Sequence, residues 1–300
     1  MNPFVIVDGH PIPIIGVAIL GVVVGYVAGM FGIGGGFLMT PLLVVLFHVP
    51  LRIAIGTGLC QMTGTSLVAF LRHRKVRQGE ARFDVLMVPG SVLGVKLGAE
   101  ALGVLSHAGS LSVAGHTVPW VNVTVETAYA VLLAVVAFNY WRQGKNPVDV
   151  LQQLRPGPLS RVGVQPFVSL PAVDLPRVSA PLIAYLGLGL GFLSGLLGIG
   201  GGVALNPVLI YGFGFPIKQA VGTGIIVLFV TAAVGTVSHS FEGNVDLRLA
   251  SAMLVGATIS AQFGALASRR ISGSALGRIH AAVIVAAIAA VLWDLMSRIR

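Results

Sequence analysis

Long apolar stretches separated by short polar segments dominate this 300-residue chain. Because a bilayer core about 30 Å thick needs roughly 20 apolar residues per helix, such stretches predict membrane-spanning helices. They lie at 12–33, 53–71, 85–104, 124–141, 181–198, 219–238, 247–267 and 279–296. Two further stretches, 37–48 and 203–214, are too short to cross unaided and predict tilted, re-entrant or broken helices. The pattern predicts an all-α polytopic membrane protein with eight long and two short or broken membrane helices.

The chain also contains an internal duplication. At an offset of 166 residues, the segment 25–58 aligns with 191–224, and 15 of the 34 positions are identical. The identities include two prolines and a run of closely spaced glycines, which a shared apolar composition does not explain. The two halves of the chain are therefore interpreted as homologous repeats.

Lysine and arginine are distributed oppositely in corresponding loops of the two repeats. The loop after 53–71 is rich in them, whereas its counterpart at 239–246 has none. The next loop reverses the bias, because 105–123 has none and its counterpart at 268–278 has three. Since short loops rich in Lys and Arg stay cytoplasmic, we expect repeats of inverted topology, a common plan in transporters. Five crossings per repeat, with the N-terminus outside, satisfy this pattern.

The stretch 142–180 separates the repeats. It holds six of the 16 prolines together with several Lys and Arg residues, which predicts an irregular linker on the cytoplasmic side. The predicted domains are a first transmembrane repeat at 1–141, this Pro-rich cytoplasmic connector, and a second transmembrane repeat at 181–300. Residues 1–13 have no Lys or Arg, so they lack the charged start of a secretory signal, and we expect the first apolar stretch to be retained.

Composition narrows the class of protein. Only 10% of the residues are charged and 55% are hydrophobic, whereas a soluble domain carries about 25% charged residues. The net charge of +9 lies in short loop clusters, so it indicates membrane topology and not nucleic-acid binding. Cys60 is the single cysteine, which excludes an intrachain disulfide. No metal-ligand spacing and no nucleophile–base pair is evident, so we expect no cofactor, no metal site and no enzymatic activity.

A glycine-rich motif recurs in both halves, at Gly32–Pro41 and Gly198–Pro207, with the pattern G-x-G-G-G-x(4)-P. Because each interior glycine costs a helix roughly 1 kcal/mol relative to alanine, the run predicts a break in the helix. A broken helix at membrane depth lines a cavity or is buried in protein, and its N-terminus offers N–H groups to an anion. Close helix packing is the alternative role. The predicted anion ligands are Gly34, Gly35, Gly36, Gly200, Gly201 and Gly202.

A second repeated motif, A-x-G-T-G, ends at Gly58 and at Gly224. A threonine hydroxyl beside glycines at the start of a helix can bind an oxyanion, or it can cap its own helix. The predicted ligands from this motif are Thr57, Gly58, Thr223 and Gly224. If the threonines bind the anion, valine at either position is expected to weaken anion affinity more than it lowers protein level.

Three further polar residues are predicted to bind the substrate. Gln61 follows the first A-x-G-T-G motif by about one helical turn, and Asn206 precedes the repeated proline of the second half. Lys96 lies within the 85–104 stretch, where a cation costs about 2.5–3.5 kcal/mol unless it has a partner or an aqueous cavity. An ion pair with Glu100, four residues on, is the structural alternative for Lys96.

These residues resemble the sulfite exporter TauE/SafE family, also called the toluene-sulfonate uptake permease family. The resemblance rests on the duplicated G-x-G-G-G-x(4)-P and A-x-G-T-G motifs, and it spans both halves of the chain. It implies a multi-pass permease of the bacterial inner membrane that moves small anions, including sulfite and organosulfonates. Relatives in the family are thought to handle other sulfur compounds or carboxylates.

The resulting functional expectation is a secondary transporter of a small anion. A passive anion channel lined by the same glycines, and a membrane structural protein that moves no solute, are the alternatives. The expected partners are the small anion and membrane lipid, with no nucleic acid, and the sequence leaves a homo-oligomer open. Neither the identity of the anion nor the direction of transport follows from the sequence.

Overall fold

Helices make up most of the computed structural model, which describes residues 4–7, 10–31, 34–76, 79–113, 116–143, 156–268, 270–271 and 273–299. The first half contains α1 Ile14–Phe31, α2 Gly36–Phe47, α3 Leu51–Val76, α4 Ala81–His107 and α5 Trp120–Gln143. The second half contains α6 Ala180–Leu197, α7 Gly202–Pro207, α8 Ile217–Gly222, α9 Ile225–Phe241, α10 Leu247–Ser268 and α11 Gly273–Ile299. A single π-helical segment, Val208–Phe213, continues α7.

Six of the described helices are long and apolar enough to cross a membrane, namely α1, α3, α4, α5, α6 and α10. The prediction of eight long helices is therefore not confirmed. The predicted 219–238 span is divided at Thr223 and Gly224 into α8 and α9, and the apolar part of α11 is the shorter segment Ala281–Asp294. The predicted short pieces coincide with α2 and with α7 plus its π-helical extension. The mostly helical, multi-pass architecture is as predicted.

Three short antiparallel hairpins lie among the described residues, one before α1 and two between helices. They pair β1 Phe4–Val7 with β2 His10–Pro13, β3 Ser110–Val113 with β4 His116–Pro119, and β5 Phe167–Leu170 with β6 Leu175–Ser179. The sequence pattern did not predict them, because each strand has only four or five residues. In a chain dominated by apolar helices, such short alternations carry little signal.

The connector is ordered from 156 to 179, in contrast to the irregular linker that its prolines predicted. It begins with a 3₁₀ turn, Pro158–Arg161, and continues into the β5–β6 hairpin. Its apolar side chains are buried in one cluster with Phe83 of α4 and Phe213 of the second half; they are Leu170, Val173, Leu175 and Val178. The connector therefore packs against both halves through this cluster. Residues 144–155 of the predicted connector lie outside the described residues.

Glycines bring α1 and α10 into backbone contact. A Cβ atom placed on Gly21, Gly25 or Gly29 would lie 2.0–2.4 Å from backbone atoms of α10, so a larger residue at these positions requires the helices to separate. The three contacts fall on Met253, Ala257 and Ala261 in that order. Because the contact positions rise together along both helices, α1 and α10 run in the same direction.

The same crossing recurs between α6 and α4. Cβ atoms on Gly187, Gly191 and Gly195 would lie 2.2–2.3 Å from backbone oxygens of Met87, Ser91 and Val95, respectively. All six positions are offset by 166 residues from those of the α1–α10 crossing. Each crossing joins a helix of one half to a helix of the other half, so the two halves are interleaved.

Candidate functional site

Both glycine-rich motifs interrupt their helices, as predicted. Gly34 and Gly35 have φ angles of 78° and 79°, and α2 begins directly after them. In the second half Gly200 and Gly201 have φ angles of 66° and 80°, and α7 begins at Gly202. Residues with a Cβ rarely adopt this left-handed conformation, so the backbone itself requires glycine here. Residues 32–33 lie outside the described residues.

The proline of the first motif creates a second irregularity within α2. Pro41 has no N–H group, so the carbonyl of Phe37, four residues earlier, loses its helical partner. The hydroxyl of Tyr129, a buried residue of α5, donates a hydrogen bond to that carbonyl. The α5 helix therefore stabilises the half-helix that follows the glycine break.

A cavity of about 170 Å³ lies beside the first break, between α1, α3 and α10. We call it the first-half cavity. Three predicted ligands line it, namely Gly34, Gly35 and Gln61. The other polar lining residues are Thr65 and Ser66 of α3 with Thr258 and Gln262 of α10, and the remainder are small or apolar. No charged side chain is among the described residues that line it.

The polar side chains that α3 contributes to this cavity differ in whether they have hydrogen-bond partners within the protein. Ser66 donates to the carbonyl of Met62 at 2.6 Å, and Thr65 donates to the same carbonyl at 3.2 Å, so both hydroxyl protons are used within the helix. Gln61 is 2% exposed, and its Oε1 atom has no hydrogen-bond partner among the described residues. A buried acceptor without a partner is costly, so Gln61 is the α3 side chain in this lining that the fold leaves least satisfied, and its N–H₂ group is a hydrogen-bond donor of the kind that an anion requires.

A narrower cavity of about 10 Å³ occupies the corresponding position in the second half. We call it the second-half cavity. The predicted ligands Gly200, Gly201, Gly202 and Gly224 line it, together with Met87 and Thr231. Gly200, Gly201 and Thr231 correspond to Gly34, Gly35 and Thr65 at the repeat offset. The two equivalent cavities therefore have very different sizes.

Two apolar side chains at equivalent positions reach across between the halves. Met62 of α3 stands against the second break, because a Cβ on Gly200 would lie 1.9 Å from its Cε atom. Leu228 of α9 stands against the first break, because a Cβ on Gly34 would lie 2.6 Å from its Cδ2 atom. Met62 and Leu228 thus separate the two glycine breaks at the centre of the molecule.

The predicted threonine ligands do not line either cavity. The hydroxyl of Thr57 accepts a hydrogen bond from the backbone N–H of Asp246 at 3.0 Å, and the hydroxyl of Thr223 accepts one from Glu80 at 2.9 Å. Each bond joins the A-x-G-T-G motif of one half to the residue before α4 or α10 in the other half. The alternative that each threonine caps its own helix is also not what the structure has.

The remaining predicted ligands are also outside the first-half cavity. A Cβ on Gly36 would lie 2.1 Å from the sulfur of Met62, and one on Gly58 would lie 3.4 Å from the hydroxyl of Thr40. Asn206 is buried within α7. Lys96 is exposed on the outer surface of α4 and lines neither cavity, so the structure does not bring it to the glycine breaks.

The sequence did not single out the polar contribution of α10 to the cavity. Neither Thr258 nor Gln262 belongs to a repeated motif, and Gln262 occupies the position equivalent to Lys96 at the repeat offset. Their position follows from the glycine-mediated α1–α10 crossing, which joins residues more than 200 positions apart. Among the described residues, no group of three or more His, Cys, Asp or Glu side chains is arranged to hold a metal ion.

Membrane-spanning helices interrupted by glycine breaks beside an internal cavity place the protein among polytopic membrane transporters. The chain matches the family described as Sulfite exporter TauE/SafE over residues 17–291, and it belongs to that family. It is therefore a multi-pass bacterial-type membrane transporter protein.

Individual relatives agree with this assignment. The probable membrane transporter protein YunE of Bacillus subtilis is 27% identical over 89% of this chain and 93% of its own length. The probable membrane transporter protein YjnA of the same organism is 30% identical over 90% of this chain and 96% of its own. The probable membrane transporter protein MJ0441 of Methanocaldococcus jannaschii is 23% identical over 85% of this chain and 86% of its own. No solved structure matches the chain.

Proposed function

We propose that this protein is a secondary transporter of a small anion, with sulfite, an organosulfonate or a related sulfur-containing or carboxylate anion as substrate. The observation that carries the proposal is the first-half cavity, where the Gly34–Gly35 break meets the buried side chain of Gln61, which carries an amide N–H₂ donor. Amide and backbone N–H groups are suitable donors to an anion, and a half-helix N-terminus adds positive partial charge. The volume of about 170 Å³ suits a molecule smaller than a typical drug-sized ligand.

The two halves are, in this proposal, inverted repeats. The register of the glycine contacts supports it, because α1 runs parallel to α10 and α6 runs parallel to α4. Because α4 begins only five residues after the end of α3 at Val76, we take these two helices to run in opposite directions. Gly64 of α3 lies against the side chain of Leu254 in α10, and the earlier Gly56 lies against the backbone of Asn244, three residues before α10 begins. Because both contacts advance in the same direction, α3 runs parallel to α10. By these relations, α1 and α6 have opposite directions.

A carrier is favoured over a passive pore by the difference between the two cavities. An inverted repeat makes the first-half and second-half cavities equivalent, yet one holds about 170 Å³ and the other about 10 Å³. Exchange of these two states would expose the substrate first to one side of the membrane and then to the other. A permanently open pore has no need for one closed member of such a pair.

Purified protein in proteoliposomes provides the test. Labelled sulfite and sulfoacetate are offered in turn, with the zwitterion taurine as an uncharged comparison, and we expect saturable uptake of at least one of the two anions, accelerated by unlabelled anion on the opposite side. Non-saturable flux without this counterflow would favour the pore, and no flux of any anion would contradict transport.

The same assay applied to the Gln61→Leu variant tests the proposed role of this side chain. Hydrogen bonds to charged groups are worth about 1.5–3 kcal/mol, so the half-saturating anion concentration should rise roughly 10-fold or more. Asn139→Leu is the matched control, because the Asn139 amide bonds the carbonyl of Val135 on its own helix, away from the cavity. Equal effects of the two variants would remove Gln61 from the site.

A further inference from the structure

The carboxylate of Asp84 is buried in the first turn of α4, one of the membrane-spanning helices. Its side chain is 2% exposed and accepts a hydrogen bond from the backbone N–H of Gly224 at 2.7 Å. Gly224 directly precedes α9, so the carboxylate lies at the positive end of a 17-residue helix. Because ionisable groups inside membrane segments are costly, this carboxylate is expected to have a specific use.

The repeat shows that the scaffold does not require this carboxylate. At the equivalent position in the second half stands Ala250. The equivalent of Gly224 is Gly58, and there α3 continues without interruption, whereas α8 and α9 are separated at Thr223 and Gly224. The Asp84–Gly224 bond and the break beside it are therefore features of one half only.

Asp84 lies beside the second-half cavity. Its hydrogen-bond partner Gly224 lines that cavity, and so does Met87, which is one helical turn from Asp84 on α4. When the second-half cavity is the open one, an anion bound against Gly224 would therefore lie close to the Asp84 carboxylate. In a site shielded from water, two negative charges at short range repel strongly.

The other charged groups at this end of α4 are already engaged. Glu80, the titratable group beside Asp84, accepts hydrogen bonds from the backbone N–H groups of Ala172 and Arg82. The guanidinium of Arg82 donates to Ser169 of the connector. The uncharged polar groups at this end are Gln219 and Thr223, which accept from the backbone N–H groups of Gly79 and Glu80, and the described apolar contacts come from Ile183 of α6, Val227 of α9 and Val173 of the connector.

We propose that Asp84 is the proton-coupling residue of the transport cycle, binding one proton for each anion that occupies the second-half cavity. This inference rests on the proposed function. A proton from the water on the side to which the cavity opens binds a carboxylate oxygen of Asp84, which removes its negative charge. The N–H of Gly224 then faces a neutral acceptor in place of a charged one, and the anion no longer meets a like charge beside the cavity. After the cavity opens to the other side, the anion leaves and the proton follows it, so one anion and one proton move in the same direction.

The test measures anion and proton movement together in proteoliposomes that contain a pH-sensitive dye, with whichever of sulfite and sulfoacetate the unmodified protein carries. We expect anion entry to acidify the interior and an inward proton gradient to drive accumulation. Anion flux without proton movement in the unmodified protein would overturn this inference alone. Absence of any anion flux would overturn the proposed function and this inference with it.

Asp84→Asn tests the residue, because asparagine is a neutral counterpart of the protonated carboxyl group, with an oxygen that can accept from Gly224, but it cannot take up or release a proton. We expect counterflow within about twofold of the unmodified protein, with proton movement and gradient-driven accumulation lost. Asp84→Glu restores a titratable carboxyl and is expected to restore proton movement. Glu80→Gln is the matched control and should retain proton movement. Proton-driven accumulation by the Asp84→Asn variant would overturn the assignment of Asp84 as the coupling residue. So would a result in which Glu80→Gln loses this accumulation and Asp84→Asn keeps it.

Discussion

The Thr57 hydroxyl accepts a hydrogen bond from the backbone N–H of Asp246 across 189 positions of sequence, at 3.0 Å. The equivalent bond in the other half joins Thr223 to Glu80 at 2.9 Å. Both threonines are buried, and both accept from the residue that precedes a membrane helix of the opposite half. The A-x-G-T-G motif thus holds the two halves together, which accounts for its duplication without a ligand.

Valine at either threonine is therefore expected to destabilise the fold. Thr57→Val leaves the partly buried N–H of Asp246 without an acceptor, and Thr223→Val leaves the buried N–H of Glu80 without one, at a cost of about 1–3 kcal/mol each, with the larger cost expected for Thr223→Val. Thermal unfolding in detergent measures the effect. Ser251→Ala is a suitable control, because the hydroxyl of this exposed residue donates to the carbonyl of Arg248 on its own helix. Unchanged stability combined with a loss of anion affinity would instead restore the predicted ligand role.

The glycine-mediated crossings predict that alanine substitution has very different effects on stability at two glycines of α6. A Cβ on Gly191 would lie 2.3 Å from the carbonyl oxygen of Ser91, whereas one on Gly189 would meet nothing within 4 Å. Gly191→Ala should lower stability by about 1–3 kcal/mol through forced separation of α6 and α4. Gly189→Ala should be neutral or stabilising by up to about 1 kcal/mol, because alanine favours the helix. Similar unfolding temperatures for the two variants would contradict the crossing.

Much of this architecture was predictable from the sequence, for physical reasons. Apolar stretches of membrane-spanning length located most of the helices, and the glycine runs located both breaks, because left-handed backbone requires glycine. The broken span at Thr223 was not predictable, since the same motif at Thr57 lies in a continuous helix. What differs is the buried Asp84 on a distant helix, whose carboxylate accepts the N–H that the break leaves free.

The candidate site was predictable only in part. The sequence identified Gly34, Gly35 and Gln61, which line the first-half cavity, but also residues that the structure uses for packing and for bonds between the halves. Local spacing predicts which residues neighbour one another along a helix. It contains no information on the α1–α10 crossing that adds Thr258 and Gln262, because that contact depends on how distant helices pack.

Two glycines of the second break allow the cost of backbone strain to be measured apart from the cost of steric conflict. Gly201 has a φ of 80° and open space around its Cβ position, so Gly201→Ala should cost only the strain of about 1–2 kcal/mol. Gly200→Ala should cost more, because its Cβ would lie 1.9 Å from the Cε atom of Met62. Combining Gly200→Ala with Met62→Ala should recover about 1 kcal/mol relative to the sum of the single changes. Additive unfolding free energies would show that Met62 does not limit this position.

The connector is expected to depend on Glu80 for its attachment to α4. The Glu80 carboxylate accepts from the backbone N–H of Ala172 at 2.8 Å, and the Arg82 guanidinium donates to the carbonyl of Ser169 at 3.1 Å. Glu80 is buried, so Glu80→Ala should cost about 1.5–3 kcal/mol of local stability, whereas Arg82 is exposed and Arg82→Ala should cost less than about 1 kcal/mol.

Hydrogen–deuterium exchange of the intact protein in detergent measures whether Glu80→Ala weakens the attachment of the connector more than Arg82→Ala does. Amides at 169–173 should exchange faster in Glu80→Ala than in Arg82→Ala, because local opening controls exchange when a segment separates from its support. Arg248→Ala, at the equivalent position in the second half, provides the control, since Arg248 lies at the start of α10 and is exposed. If all three variants exchange alike at 169–173, then the apolar cluster around Phe83 and Leu170 holds the connector without help from Glu80. Such a result would also leave the second-half cavity closed by packing alone, because Met87 and Val227 of that cavity belong to the same cluster.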